Sequence, residues 1–305
     1  LKAVEYRLLP EWFAAARRHN LRVIAHGGET ICPVPEGIDP ITHSQQLVRP
    51  FYQEQCPRFT DDPTLLAYVV AEEVPISETV LQEVRAVTDI IGTADPRHPG
   101  LVESHWLDAL ELGMPILNPP VAIFGYNVFR LDGVSDTEKK RFFSQLVEHC
   151  YQAARPRALW AQPAASMLDI FQDGVFQSAD SARPTPEQLR WAVWAALLHG
   201  AKGIGFFLYN WFYPIEPTGY YEHLTGLVGA DGRTTLLYEQ VGIIGNQLRG
   251  LSDLLLQLDP LTLLADEDPY WDSTTPLRAR LFVHRETSDK YLMVVNYDWV
   301  YMHIL

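Results

Sequence analysis

The stretch "LLAYVVAEEVP", residues 65–75, decides how the rest of the chain is read. An apolar run of strand length ends abruptly on Glu72, Glu73 and Pro75. Unbroken hydrophobicity over that length fits a strand covered on both faces, as in parallel sheets. Unpaired carboxylates are costly to bury. The run therefore either ends in water or opens onto a place that uses the acids. On adjacent strand positions the two side chains point to opposite sides, so at most one faces a pocket directly. The plainer reading is that the acids begin a solvated loop and favour the dipole of the helix that starts after Ser77.

Outward from this stretch, helices alternate with short apolar strands. "PEWFAAARRHN" (10–20) predicts a helix with Trp12, Phe13 and Ala16 on one side, and "LRVIAHGG" (21–28) a strand running into a glycine turn. Val80, Leu81, Val84 and Val87 keep helical spacing behind the cap Ser77. "PGLVES" (99–104), "VAIFGYNVF" (121–129) and "RALWAQPA" (157–164) read as strands. Ser135 with Glu138, and Thr185 with Gln188, are capping boxes for helices at 136–153 and 185–203. Pro186 suits the first helical position and Gly200 the stop. "IGFFLYNWF" (204–212) reads as a further strand and 234–257 as a long helix. After Pro260 the pattern changes: "RARLFVHRE" and "KYLMVVNYD" predict two antiparallel strands around "TSD".

Alternation of this kind implies parallel strands with helical crossovers. Six strand-and-helix units precede residue 258, against the eight of a closed barrel. An open doubly wound sheet would carry a glycine-rich loop after its first strand. The one candidate, "GAKGIG" (200–205), precedes a strand and reads as a helix stop with close backbone packing.

Composition narrows the chemistry. A net charge of −14 argues against nucleic acid and against an anionic membrane surface. No run is long enough to span a bilayer. The 305 residues, 47% hydrophobic, suit one large domain or one and a half. The 8 Trp, 14 Tyr and 13 Phe are core formers first, and also rings on which sugars stack. Cys32, Cys56 and Cys150 form no C-x-x-C pair; Cys32 and Cys56 are either a loop bridge or free thiols. H-E-x-x-H and G-x-S-x-G are absent, the ten histidines are scattered, and nothing calls for a metal or a cofactor.

In a barrel, strand C-termini converge on one pocket. The polar residues at those ends are His26, Glu72 with Glu73, Glu103, Tyr126 with Asn127, Gln162, and Tyr209 with Asn210 and Trp211. Carboxylates, amides and rings together suit a neutral, hydroxyl-rich ligand. Each has a plainer reading: His26 as a turn residue, Tyr126 and Trp211 as core, Glu103 as surface. Cys150, Trp191 and Trp194 sit on helices and read as core.

"DPTLLAYVVAEEVP" resembles the fourth strand of (β/α)8-barrel glycoside hydrolases of the clan that includes β-galactosidases and cellulases, where hydrophobics run into Asp-Glu-Pro. "PTPEQLRWAVWAALLHGAKGIGFFLYNWF" is similar to their seventh helix and eighth strand, and "RALWAQPA" to their seventh strand. "VVNYD" resembles the start of the accessory β-sandwich. The resemblance covers most of residues 10–300. It implies a TIM barrel over residues 1–258, lacking its first two strands in the numbered chain, and an antiparallel sandwich beginning at 259. It implies hydrolysis of glycosidic bonds in an oligo- or polysaccharide; the sequence leaves localisation open, with an extracellular or periplasmic setting slightly favoured. Glu73 takes the place of the general acid/base and Glu72 that of the Asp, with Val74 inserted before Pro75. Trp211 takes the place of a sugar platform.

One position departs from the pattern. The clan ends strand seven on a glutamate nucleophile, and here Gln162 stands there. An amide cannot attack the anomeric carbon as a carboxylate does. Glu103, Asp169 or Asp173 would have to supply the second carboxylate. Otherwise the reaction is inverting, or the barrel binds carbohydrate without cleaving it.

Overall fold

In the computed structural model, backbone is described for residues 10–26, 37–72, 77–104, 121–126, 134–155, 158–163, 165, 167–172, 175–179, 183–209, 211–215, 220–229, 231–263 and 277–297. The chain is mixed α/β and folds as two compact units, Leu1–Phe124 with Gln152–Leu159, and Gly125–Tyr151 with Trp160–Leu305.

The first unit carries strands β1 (Val23–His26), β2 (Leu65–Ala71), β3 (Gly100–Ser104) and the start of β4 (Val121–Tyr126), hydrogen-bonded in that order and all parallel. Helix α1 (Pro10–Arg18) leads into β1. Helices α2 (Pro40–His43) and α3 (Arg49–Phe59), joined by a wider turn over Ser44–Val48, lead into β2. Helix α4 (Glu78–Ala94) crosses from β2 to β3. Its Val80, Leu81, Val84, Val87 and Ile91 form one core with Tyr68, Val70, Ala71 and Val102, as the helical spacing requires. Phe13 joins this core and stacks on Phe59 at 4.7 Å. Trp12, expected on the same side, is 55% exposed: a neighbouring position lies about 100° round the helix. Ser77 holds the N-cap position, but its side chain makes no cap bond.

The second unit contains α5 (Asp136–Ala154, up to Tyr151), α6 (Pro186–Leu198) and α7 (Leu236–Gln257). The Thr185–Gln188 capping box forms as the spacing predicts, and Gly200 stops the helix at φ +98 with the Tyr151 ring against it. Trp191 and Cys150 are fully buried and Trp194 nearly so. Strand β5 (Ala158–Pro163) pairs in parallel with the two-residue β8 (Gly203–Ile204).

The expected strand over 204–212 is broken. After Phe207 the chain leaves β5, and the Leu208 and Tyr209 carbonyls accept from the Leu227 and Val228 amides instead. Gly226 permits that approach, because a Cβ there would lie 1.9 Å from the Leu208 oxygen. Trp211 begins β9 (Trp211–Ile215) in an antiparallel sheet ordered β7-β6-β10-β9, with β6 (Met167–Gln172), β7 (Val175–Ala179) and β10 (Tyr220–Thr225). The sequence reading contained no such sheet.

The C-terminal hairpin forms as expected from β12 (Leu277–His284) and β13 (Lys290–Asn296). A third antiparallel strand, β11 (Leu258–Leu263), starts directly at the end of α7. Among the described residues a complete eight-stranded barrel is not shown. No helix among them is long and apolar enough to cross a membrane.

Candidate functional site

The candidate site is built at the C-terminal edge of the parallel strands. Between β2 and β3 the pairing goes from Val69–Leu101 directly to Ala71–Val102, so Val70 and Ala71 together oppose one residue. That is a β-bulge, which disrupts the ladder and re-aims the residues beyond it. Tyr52, buried on α3, donates its hydroxyl to the Val69 carbonyl at 2.5 Å, giving the interrupted ladder a partner from the helical layer.

Tyr68 and Val70 both belong to the core under α4, so strict alternation would put Ala71 on the opposite face and Glu72 toward the helix. Ala71 belongs to that core as well, and the strand ends there, with Glu72 the next residue. On β3, Val102 is in the same core, and Glu103 alternates with it along the strand. The pairing of β2 with β3 ends at Ala71–Val102, and Glu103 pairs onward with Ile123 of β4. Glu72 is half-buried and Glu103 buried, followed by buried Ser104. Two acids thus lie at the ends of neighbouring parallel strands. The surface role weighed for Glu103 does not hold.

The remaining predicted residues are scattered over the two units. Glu73, Asn127, Asp173 and Asn210 lie outside the described residues. His26 ends β1, Tyr126 ends β4 and Trp211 starts β9; only their backbone is described. Asp169 sits inside β6, paired with His223 and Ala179 in the antiparallel sheet, and not at a parallel strand end. Tyr209 is 58% exposed, consistent with a ring available at a surface.

Gln162 belongs to the second unit, near the end of β5. Trp160 and Gln162 share one face of this strand, and glycines lie beneath both. A Cβ on Gly203 would come within 2.6 Å of the Trp160 ring, and one on Gly205 would touch Gln162 at 3.5 Å. The Gln162 Oε1 is buried and has no hydrogen-bond partner among the described residues. An orphaned buried acceptor of this kind costs about 1–3 kcal/mol, and a ligand hydroxyl would relieve it.

The sequence reading missed Tyr52. Its only trace is a tyrosine among apolar helix positions three residues after Arg49; the bulge it serves leaves no mark in a run of hydrophobics. The thiol alternative is decided for one residue: Cys56 is a buried free thiol, pushed up to about 12 by burial and so unreactive near neutral pH. Among the described residues no group of His, Cys, Asp and Glu is placed to hold a metal.

No family model matches the chain, and no curated protein matches it. Solved structures do. A β-D-glucuronidase from Dictyoglomus thermophilum is 12% identical with a TM-score of 0.56, over 81% of this chain and 44% of that one. A GH2 β-galacturonidase from Eisenbergiella tayi, bound to galacturonate, is 13% identical with a TM-score of 0.56, over 80% and 44%. A β-galactosidase from the psychrophile Marinomonas ef1 is 10% identical with a TM-score of 0.52, over 82% and 50%. The chain spans half the length of these proteins or less. At such identities the likeness is one of fold.

Proposed function

We propose that the chain is the larger part of a (β/α)8 glycoside hydrolase barrel, followed from residue 259 by the start of a β-sandwich, and that it cleaves glycosidic bonds. The observation that supports this reading is the pair of acids at neighbouring parallel strand ends, Glu103 buried near the end of β3 and Glu72 half-buried just past β2. Such hydrolases need two carboxyl groups flanking the scissile bond. Glu73, next along the chain, is the general acid that protonates the leaving oxygen, and Glu103 is the second carboxylate. If the groups lie about 5–5.5 Å apart the reaction retains configuration, and at about 6.5–9.5 Å it inverts. Gln162 and Tyr209 contact sugar hydroxyls and faces. The fold neighbours named as β-glucuronidase, β-galacturonidase and β-galactosidase support a carbohydrate substrate.

The test is incubation with a panel of oligosaccharides and aryl glycosides, scoring new reducing ends. Glu73→Gln should lower turnover about 10²–10⁴-fold, the usual worth of a general acid, with folding and sugar affinity kept. Full activity in that variant removes Glu73 from the reaction. One observation favours a second reading, a carbohydrate-binding barrel that does not cleave. Gln162 stands where the resemblance expects an acid, and its free amide oxygen suits binding. Saturable sugar binding without products across the panel would select it.

A further inference from the structure

The second unit holds a cavity of about 360 Å³ that none of the candidate site residues lines. Its walls come from α6 and the turn after it, from α7, and from β12 and β13, with Leu197, Leu255, Phe282 and Val295 among the lining. Leu251 and Leu292 at its side are 41% and 58% exposed, so the space is reached from solvent. Lys202 is the one charged residue lining it.

Two hydrogen-bond donors there lack what they need. The Lys202 ammonium donates to the Leu255 carbonyl at 3.0 Å and to the Leu258 carbonyl. An ammonium has three donors and a full charge, and among the described residues no carboxylate forms an ion pair with this one. Asp259 is held by Arg285 through both carboxylate oxygens at 2.7–3.0 Å. Trp194, also lining the cavity, is more than nine-tenths buried, and its indole Nε1 has no acceptor among the described residues. An indole N–H and an ammonium on one apolar cavity ask for an anionic acceptor with an apolar body. An alcohol would meet the hydrogen bonds but not the charge, and an alkylammonium would be repelled.

We propose that this cavity binds a medium-chain aliphatic monocarboxylate, its carboxylate accepting from Lys202 Nζ and Trp194 Nε1 and its chain lying along the leucine-lined walls. Mostly apolar pockets of this volume with a few convergent polar groups are the usual form of a small-molecule site. The electrostatics agree. Burial, with Arg285 nearby, lowers Lys202 to about 8, so a bound carboxylate would restore the charged form and take up a proton above that pH.

The probe is decanoate, titrated calorimetrically at pH 7 into the 305-residue chain. Saturable 1:1 binding is expected, weaker by about 10-fold or more for decanol and for Lys202→Met, the worth of one charged hydrogen bond. Affinity should fall as pH rises from 7 to 9.5. Trp194→Phe should weaken binding by a smaller factor. The decanoate–decanol comparison needs no variant and stands even if Lys202→Met fails to fold; Lys202→Arg then serves as the charge-retaining control. Absence of saturable binding, equal affinity for decanol, or undiminished binding in folded Lys202→Met each overturns the proposal. None of these outcomes bears on carbohydrate cleavage.

Discussion

Asp95 and Glu148 are buried carboxylates, one in each unit, stabilised in different ways. Asp95 caps the end of α4 and collects four donors: Thr60 Oγ1 at 3.0 Å, Tyr68 Oη at 2.9 Å, the Arg97 amide at 3.2 Å and His98 Nδ1 at 2.8 Å. Glu148, on α5, is joined to distant chain. Arg280 of β12 donates to both its oxygens, at 2.7 and 3.3 Å, and His199 Nδ1 lies 2.9 Å away. The second network continues. Ser144 donates to the Tyr297 hydroxyl at 3.0 Å, which lies 3.2 Å from His199 Nε2. The one tautomer that fits has Nδ1–H donating to Glu148 and Nε2 accepting from Tyr297, a neutral imidazole with no group left over. Burial lowers the His199 pKa, in keeping with that assignment. Four donors, each removable, hold Asp95; a buried guanidinium that donates to both oxygens, with a buried imidazole, holds Glu148.

The largest effect should therefore come from loss of that cation. Arg280→Met removes the cation that donates to both Glu148 oxygens and should cost about 3–5 kcal/mol in urea unfolding. Replacing both partners, Arg280→Met with Glu148→Met, should cost less than the single change, because no orphaned charge remains. A double variant as damaged as the single one would show that the charges matter little and the packing much.

Acid should separate the networks next. Burial alone would raise Glu148, but His199 and Arg280 outweigh it and bring the group down from 4.5 to about 2. A depressed acid contributes stability above its unfolded pKa and loses it as pH falls through the folded one. About 3 kcal/mol should disappear between pH 4.5 and 2. His199, lowered below 6.5, adds loss of the same sign on acidification, since the unfolded chain takes up its proton first. Denaturation midpoints followed from pH 7 to 2 should fall more gently in Glu148→Gln than in the parent.

Legibility in the sequence tracked interaction range. Caps and stops were readable because they act over a few residues: Thr185 with Gln188, Ser135 with Glu138 at 2.6 Å, and Gly200 at positive φ. Strand β2 was readable to the residue, from hydrophobicity bounded by polar ends. The antiparallel sheet from β6, β7, β9 and β10 was not, since its pairing joins residues 167–172 to 220–225 across α6. The bulge was invisible too: Val70 and Ala71 are both apolar, and only the β3 register reveals the extra residue. The Glu148–Arg280 pair, 132 positions apart, leaves no local signal.

Tyr52 tests whether that bulge serves the strand-end acids. Tyr52→Phe leaves the Val69 carbonyl buried without its donor and should cost about 1–3 kcal/mol. If the bulge aims Glu72, the variant should also lower kcat on any substrate the protein cleaves, with KM less affected. A loss of stability with unchanged kcat would confine Tyr52 to the core.

The smallest effect belongs to the first network and completes the comparison. Burial alone would raise Asp95, and hydrogen bonds from His98, Tyr68 and Thr60 outweigh it, so the folded group lies below its ordinary value. Tyr68→Phe removes one donor of four and leaves the ring in the core, so about 1 kcal/mol should be lost at pH 7. With one hydrogen bond fewer, the folded pKa of Asp95 rises toward 3.8, and the acid-dependent loss contributed by this group shrinks. A cost near that of Arg280→Met would mean that the Asp95 donors act as a single unit, and the contrast between the two networks would fail.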